Sequence, residues 1–299
     1  MCPLRFEVIN LWLTEFKRYF FSKKTLIIIF VLLLLGFISF YISYNDRQSF
    51  IHTLSMNYED IDKTKMLTLI DNYNGIQFVI DFMLQSDFFQ IYVIVLFLFF
   101  GIFLSPTLHS MIETGQENFI LARISYKEHV KTLIKAQSAY IASLIIITMS
   151  LLTCIGYLAG GVGSGIGSVG EYTFGIWGFL LICIVHIILT TMFSVLVNAL
   201  CLLSNIIIKN KFLIQSLSFA LFTMAPMVIS STLGNIISTV GHIAGAFVPF
   251  TSLSAIYWIL QYKFNFSYVI VIIAPYIVYM LLLIRLYKTN VKIFSRDCL

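Results

Sequence analysis

Charged side chains are scarce in this chain. Asp, Glu, Lys and Arg make up 11% of its 299 residues, whereas a soluble domain of this length carries roughly 25%. Hydrophobic residues account for 59%, and apolar runs of about twenty residues recur, each long enough to cross the hydrocarbon core of a bilayer. This composition excludes an ordinary soluble domain and predicts an integral membrane protein.

Motifs that would carry chemistry are also missing. The chain has no Gly-x-x-x-x-Gly-Lys-Ser/Thr sequence for ATP, no His-Glu-x-x-His and no Gly-x-Ser-x-Gly. Its five cysteines and five histidines lack the spacing of metal ligands or of a disulfide framework. We therefore expect no catalytic residue, metal site or cofactor on this chain, and any ATP that drives it must be bound by another subunit.

The apolar runs predict an all-α membrane domain over residues 25–299, with six spanning helices. Fifteen of the 19 Lys and Arg residues fall in the segments 1–24, 109–135, 204–211 and 285–299. Because Lys and Arg are retained on the cytoplasmic side, we expect both termini in the cytoplasm and the protein itself in the cell membrane. The spans are 25–44, 91–108, 136–158, 176–203, 212–233 and 268–284.

Four segments outside these spans have their own patterns. Residues 1–24 predict an amphipathic helix at the inner headgroup layer. The acidic outer loop 45–90 predicts one or two helices over the bundle, and the glycine-rich stretch 160–170 a flexible outer linker. The segment 235–262 predicts an outer re-entrant or half-helix hairpin, since a seventh span would place the basic C-terminus outside.

The cytoplasmic segment 109–135 contains two helix-start signatures. Thr114 with Glu117, and Ser125 with Glu128, each place a hydroxyl three residues before a carboxylate, the spacing of a capping box. This predicts a short helix of about two turns, a break near Ile124 and a second helix that runs into the third span. Such a helix suits a soluble motor that pushes on the membrane domain, but an ordinary inter-helix loop would also fit.

The polar residues of the predicted spans are only weakly polar. The spans contain no Asp, Glu, Lys or Arg, and this absence disfavours ion coupling. Five residues are candidates for a substrate pathway, with helix–helix contact as the alternative for each: Asn198, Asn205, Thr223, Pro226 and His186. His186 is either a proton site or a histidine bonded to a neighbouring helix. Gly156 and Gly160 have the spacing of a close helix contact, and Lys127, Lys131 and Lys135 form one basic stripe.

The order of these parts resembles the six-span permease subunits of ATP-binding-cassette exporters, the drug, polysaccharide and lipid exporter permease superfamily. In that family the segment after span two runs Glu, a Gly-polar pair, a short apolar helix, an Ile/Val-Ser turn and a Lys. This chain has Glu113, Gly115-Gln116, Phe119-Ile120-Leu121, Ile124-Ser125 and the later lysines.

The resemblance implies a transport subunit, not an enzyme, that works as a dimer with a second permease copy or homologue. A separate cytoplasmic ATPase would hold ATP and Mg²⁺. Its contacts would come from Glu113, Gly115, Gln116, Glu117, Phe119, Leu121, Arg123 and Ser125. The expected cargo is hydrophobic or amphipathic, such as a toxin or antimicrobial peptide, and no nucleic acid is involved. Two alternatives stay open: an ion-coupled transporter or channel, and a non-transporting membrane scaffold.

Overall fold

A computed structural model of the chain describes residues 3–57, 74–84, 86–122, 124–161, 165–169, 172–234 and 266–297. Nearly all of these residues are helical. The helices are α1 (Pro3–Phe20), α2 (Lys23–Asn57), α3 (Gly75–Leu84), α4 (Asp87–Phe103), α5 (Thr107–Glu113), α6 (Gln116–Leu121), α7 (Tyr126–Gly160), α8 (Ile176–Leu203), α9 (Lys211–Phe219), α10 (Ala225–Gly234) and α11 (Phe266–Asp297).

Four helical stretches are long and apolar enough to cross a membrane, which agrees with the predicted all-α membrane protein. They are Lys23–Thr53, Asp87–Glu113, Tyr126–Gly160 and Ile176–Leu203. The fifth and sixth predicted spans also fall on helical chain, the fifth on α9 and α10 and the sixth on α11. The count of six spans and the orientation of the termini stay predictions.

Helix α7 lies at the centre of the bundle, where it packs against α1, α2, α3 and α8. Its buried face places apolar side chains three or four residues apart, the spacing that puts them on one stripe of a helix. Tyr140, Ile141, Leu144, Ile145 and Met149 are all almost fully buried. They join one continuous core with residues of α2, α3, α4 and α8.

The segments with predicted cytoplasmic charge meet at one end of this bundle. The Tyr126 hydroxyl donates to Asn290 Oδ1 at 2.6 Å, and Asn290 Nδ2 donates to the Leu203 carbonyl at 2.8 Å. At the opposite end, the Arg47 guanidinium donates to the Gly160 carbonyl at 3.0 Å. The two ends of α7 are therefore tied to different parts of the chain, and which end faces the cytoplasm stays a prediction.

The end of the bundle that is predicted to be outside is more ordered than the sequence indicates. A strand β1 (Gly167–Val169) pairs antiparallel with β2 (Tyr172–Phe174), where the sequence predicts a flexible linker. The prediction is wrong here because side chains near and on α3 hold the hairpin. Asn74 Nδ2 donates to the Ile166 carbonyl at 2.6 Å, and the Ser168 N–H donates to Gln77 Oε1 at 2.9 Å.

The predicted outer helices correspond to the far end of α2, which continues to Asn57, and to α3. Helix α3 does not lie over the bundle as a solvated cap. Eight of its ten residues are buried, and it packs against α7 and α2. The predicted hairpin 235–262 lies outside the described residues.

Glycine allows the close approach of α3 to α7. A Cβ added at Gly160 would lie 2.5 Å from the backbone N and Cα of Gly75, and one at Gly156 would lie 2.7 Å from the Phe40 ring. The close helix contact predicted for the Gly156 and Gly160 pair is therefore confirmed.

We expect Gly160→Ala to lower the stability of the folded protein by about 1–3 kcal/mol, because backbone atoms cannot move aside as a flexible side chain would. Gly175→Ala is the matched control, since among the described residues no atom beyond its two chain neighbours lies within 4 Å of its added Cβ. Thermal unfolding of both variants in the same detergent measures the difference. Equal unfolding temperatures would contradict the close contact.

Candidate functional site

The 109–135 segment forms the helices that its sequence predicts. Helix α5 ends at Glu113, the short helix α6 follows, and α7 begins at Tyr126 after a break. Ser125 caps α7, because its hydroxyl accepts a hydrogen bond from the Glu128 N–H at 3.4 Å. The second predicted helix start is thus confirmed. Arg123 lies outside the described residues.

The first predicted helix start is wrong. Helix α6 begins after Gly115, which has φ 70° and makes no side-chain cap. The Thr114 hydroxyl instead donates back to the Ser110 carbonyl at 2.8 Å, within α5. A left-handed residue is what a helix commonly needs just past its end, and glycine adopts this conformation without steric cost. Gly115 therefore both ends α5 and sets the direction of α6.

Helix α6 has two different faces. Glu117, Ile120 and Leu121 are three or four residues apart and turn toward the protein, where the Glu117 residue is only 4% exposed. Gln116 and Phe119 face outward, and the Phe119 residue is 78% exposed. The inward direction of Glu117 and Leu121 does not fit the sequence-based assignment of both as direct contacts of a partner.

The inner face of α6 packs against residues of α5, α7 and α8. Ile120 packs against a buried cluster of Leu108, Met111, Leu133 and Leu202. Leu121 packs against a second cluster, whose members and neighbours come from α7, α8 and α11: Tyr126, Val130, Leu203, Leu283, Leu286 and Tyr287. A displacement of α6 would therefore be transmitted to α7 and α8, and to α11 through the second cluster.

Glu117 is a buried carboxyl without a full set of partners. Its Oε1 has no hydrogen-bond partner among the described residues, and burial raises its pKa to about 7. The Glu113 carboxylate differs, because it is exposed and lies 3.1 Å from His109 Nε2. Glu113 and Glu117 therefore have opposite environments.

Two of the candidate pathway residues, Asn198 and Asn205, make hydrogen bonds between helices. Asn198 Nδ2 donates to Gln137 Oε1 at 2.8 Å, and Asn205 Nδ2 donates to the Ser105 carbonyl at 3.3 Å and also to Leu202. Both asparagines thus join helices at the end of the bundle that holds α6. The surface cavities of about 500 to 610 Å³ found between described residues have other linings.

Thr223 and Pro226 belong to an irregular part of the fifth predicted span. A π-helical segment, Ala220–Met224, separates α9 from α10, and the Ala225 N–H bonds to the Ala220 carbonyl five residues back. Pro226 follows directly and has no N–H to give, so the wider turn accommodates it. The Thr223 hydroxyl is buried and has no partner among the described residues.

His186 is fully buried in α8. Its ring lies 4.7 Å from the ring of Phe89, centroid to centroid, and neither ring nitrogen has a partner among the described residues. The expectation that this histidine bonds to a neighbouring helix is therefore not met by the described part of the chain.

A polar network surrounds Gln137, and it was not predicted from the sequence. Gln137 Nε2 donates to the Leu104 carbonyl at 3.0 Å and reaches the Tyr19 hydroxyl at 3.3 Å. The Tyr19 hydroxyl in turn donates to Thr107 Oγ1 at 3.3 Å. The available signal for this network was the position of Gln137 as the second residue of a predicted span, because a buried amide needs partners from other helices.

Comparison of the chain with protein-family models, with curated proteins and with solved structures finds no match.

The pKa of Glu117 makes stability depend on pH. The carboxyl ionises near pH 4.5 in the unfolded chain and near pH 7 in the folded one, so the folded state binds the proton more tightly. The stability that this tighter proton binding gives to the folded state is fully present below pH 4.5 and is lost as the pH rises to about 7. We expect Glu117→Gln to unfold at a higher temperature than the wild type at pH 8 and to lose this advantage at pH 5.

Thermal unfolding of the purified chain between pH 5 and pH 8 tests this expectation. Glu128→Gln, which removes an exposed carboxyl of the same segment, should follow the wild-type profile. A Glu117→Gln variant that also follows it would show that this carboxyl is not held in its neutral form.

Proposed function

We propose that this chain is the membrane subunit of an exporter whose energy comes from a separate ATPase. Helix α6 is the contact for that ATPase. The carrying observation is an exposed Phe119 on a short helix whose opposite face packs against α5, α7 and α8. An aromatic side chain on a rigid support outside the bundle is typical of a protein–protein contact.

In this proposal the residues of the segment divide into two roles. Phe119 and Gln116 on the outer face of α6 meet the ATPase, together with Glu113 and Arg123. Leu121 packs α6 on the bundle, Glu117 is turned inward beside it, Ser125 caps α7, and Gly115 sets the direction of α6. ATP and Mg²⁺ belong to the partner, and closure of the partner on ATP would displace α6.

The hydrogen bonds behind α6 support transmission of that displacement. Tyr126 bonds to Asn290 on α11, and Asn290 bonds to the Leu203 carbonyl at the end of α8. The four apolar stretches support placement in the cell membrane. Work as a dimer with a second permease chain is a part of the proposal that rests on the family resemblance. The hydrophobic or amphipathic cargo is a part that rests on the uncharged, aromatic-rich spans.

Phe119→Ala tests the contact. The protein is purified in mild detergent from its native host, and the co-purifying ATPase is measured by quantitative mass spectrometry. We expect about tenfold less ATPase or lower, the loss typical of a central aromatic contact. Phe21→Ala is the control, because Phe21 is 77% exposed, as Phe119 is at 78%, but lies between α1 and α2.

Two outcomes would count against the proposal. Equal recovery of the ATPase with both variants would remove the contact role from α6. Cargo movement by the chain alone in vesicles, without a hydrolase, would remove the ATPase from the mechanism.

A second candidate function is an ion-coupled carrier, and one observation favours it. His186 lies buried with both ring nitrogens unpaired among the described residues, and an ionisable residue inside a span is a common proton site. Transport that persists after ATP depletion and stops when the proton gradient is collapsed would select this candidate.

A further inference from the structure

Four basic side chains line one cavity at the end of the bundle that holds α6. The cavity has a volume of about 580 Å³ and lies between the α1–α2 junction, the α4–α5 turn and the start of α9. Its basic residues are Arg18, Lys23, Lys24 and Lys211. They come from two segments nearly 190 positions apart in the chain, so the fold creates this concentration of charge.

No acid is among the described residues that line the cavity. The Arg18 guanidinium lies 2.8 Å from the Glu15 carboxylate outside it, which balances one of the four charges. In the same part of the chain, no carboxylate lies within ion-pair distance of the three lysines. Lys24 Nζ instead lies 4.8 Å from the centre of the Phe103 ring. Three positive charges therefore share a concave surface to which the described residues supply no counter-ion.

The helix starts increase this positive charge. Lys23 and Lys24 are the first residues of α2, Lys211 is the first residue of α9, and neither helix has an acid in its first turn. The N-terminus of a helix carries a partial positive charge, so cations are unfavourable there and an anion is favourable. A bound anion would offset both the helix ends and the mutual repulsion of the lysines.

The cavity also offers neutral donors and an apolar side. Ser22, Ser110 and Gln215 contribute polar groups to its wall. Ile102 lines it and is 58% exposed, and the neighbouring Phe212 is 73% exposed. Both side chains belong to apolar stretches predicted to cross the membrane, Ile102 within 91–108 and Phe212 as the first residue of 212–233, where acyl chains would run. A soluble anion would gain nothing from them, whereas a lipid would cover them.

We propose that this cavity binds the phosphate group of an anionic phospholipid in the leaflet that the charge pattern assigns to the cytoplasmic side. Basic pockets between helices at this depth suit anionic headgroups. The site is separate from the stripe of Lys127, Lys131 and Lys135, which is on α7 and does not line the cavity. The inference does not depend on the proposed transport function.

The test compares two triple variants with equal loss of charge. Lys23, Lys24 and Lys211 are changed to Gln in one, and Lys127, Lys131 and Lys135, which are exposed, are changed to Gln in the other. Thermal unfolding of each full-length protein in neutral detergent is measured during titration with phosphatidylglycerol, phosphatidylcholine or inorganic phosphate.

We expect phosphatidylglycerol to raise the unfolding temperature of the wild type and of the stripe variant. The cavity variant should need about a hundredfold more lipid for the same shift, since each basic residue near an anionic surface contributes roughly a fivefold factor. Phosphatidylcholine and inorganic phosphate should have little effect on any of the three proteins.

Three results would overturn the proposal. A cavity variant that responds to phosphatidylglycerol as the wild type does would show that the lysines bind no headgroup. A response lost equally in both variants would indicate a general charge effect. A wild-type response to inorganic phosphate as large as that to lipid would assign the cavity to a soluble anion. Unfolding temperatures without lipid show whether the cavity variant is folded.

Discussion

The buried amide of Gln137 fixes the end of the bundle on which the candidate site depends. Its nitrogen donates to the Leu104 carbonyl at the end of α4, and its oxygen accepts from Asn198 on α8. The Tyr19 hydroxyl extends the same network to α1. An amide left unpaired in this apolar surrounding would cost roughly 1–3 kcal/mol, so each helix is held at the position where its bond to Gln137 is made.

That fixed end carries two surfaces side by side. The outward face of α6 and the basic cavity share Gln116, which belongs to α6 and also lines the cavity. Lipid in the cavity and a protein on α6 would therefore be neighbours, in contact with the same short helix. The buried side of α6 is apolar apart from Glu117, and it connects this region to α7, α8 and α11. The arrangement joins membrane, partner and bundle at one place.

Hydropathy predicted where the long helices lie, and 176–203 matches α8 to the residue. It did not predict their ends, because helical hydrogen bonds continue past the apolar run, as in α2. The capping box predicted at Thr114 does not form, because Gly115 adopts a left-handed turn there without steric cost. The sequence grouped Phe119 with Leu121, yet residues two apart do not share a helix face. The network at Gln137 and the cavity needed the tertiary structure, since their members are distant in the chain.

The π-helical segment at Ala220–Met224 has a consequence for the fifth predicted span. One extra residue in a single turn rotates everything beyond it by about 100° relative to a regular α-helix. A helical wheel drawn straight through 212–233 would therefore assign the side chains after Met224 to the wrong side of the span. Helix α9 packs against α4. The helical-wheel positions that face α4 in α9 therefore do not point in the same direction in α10.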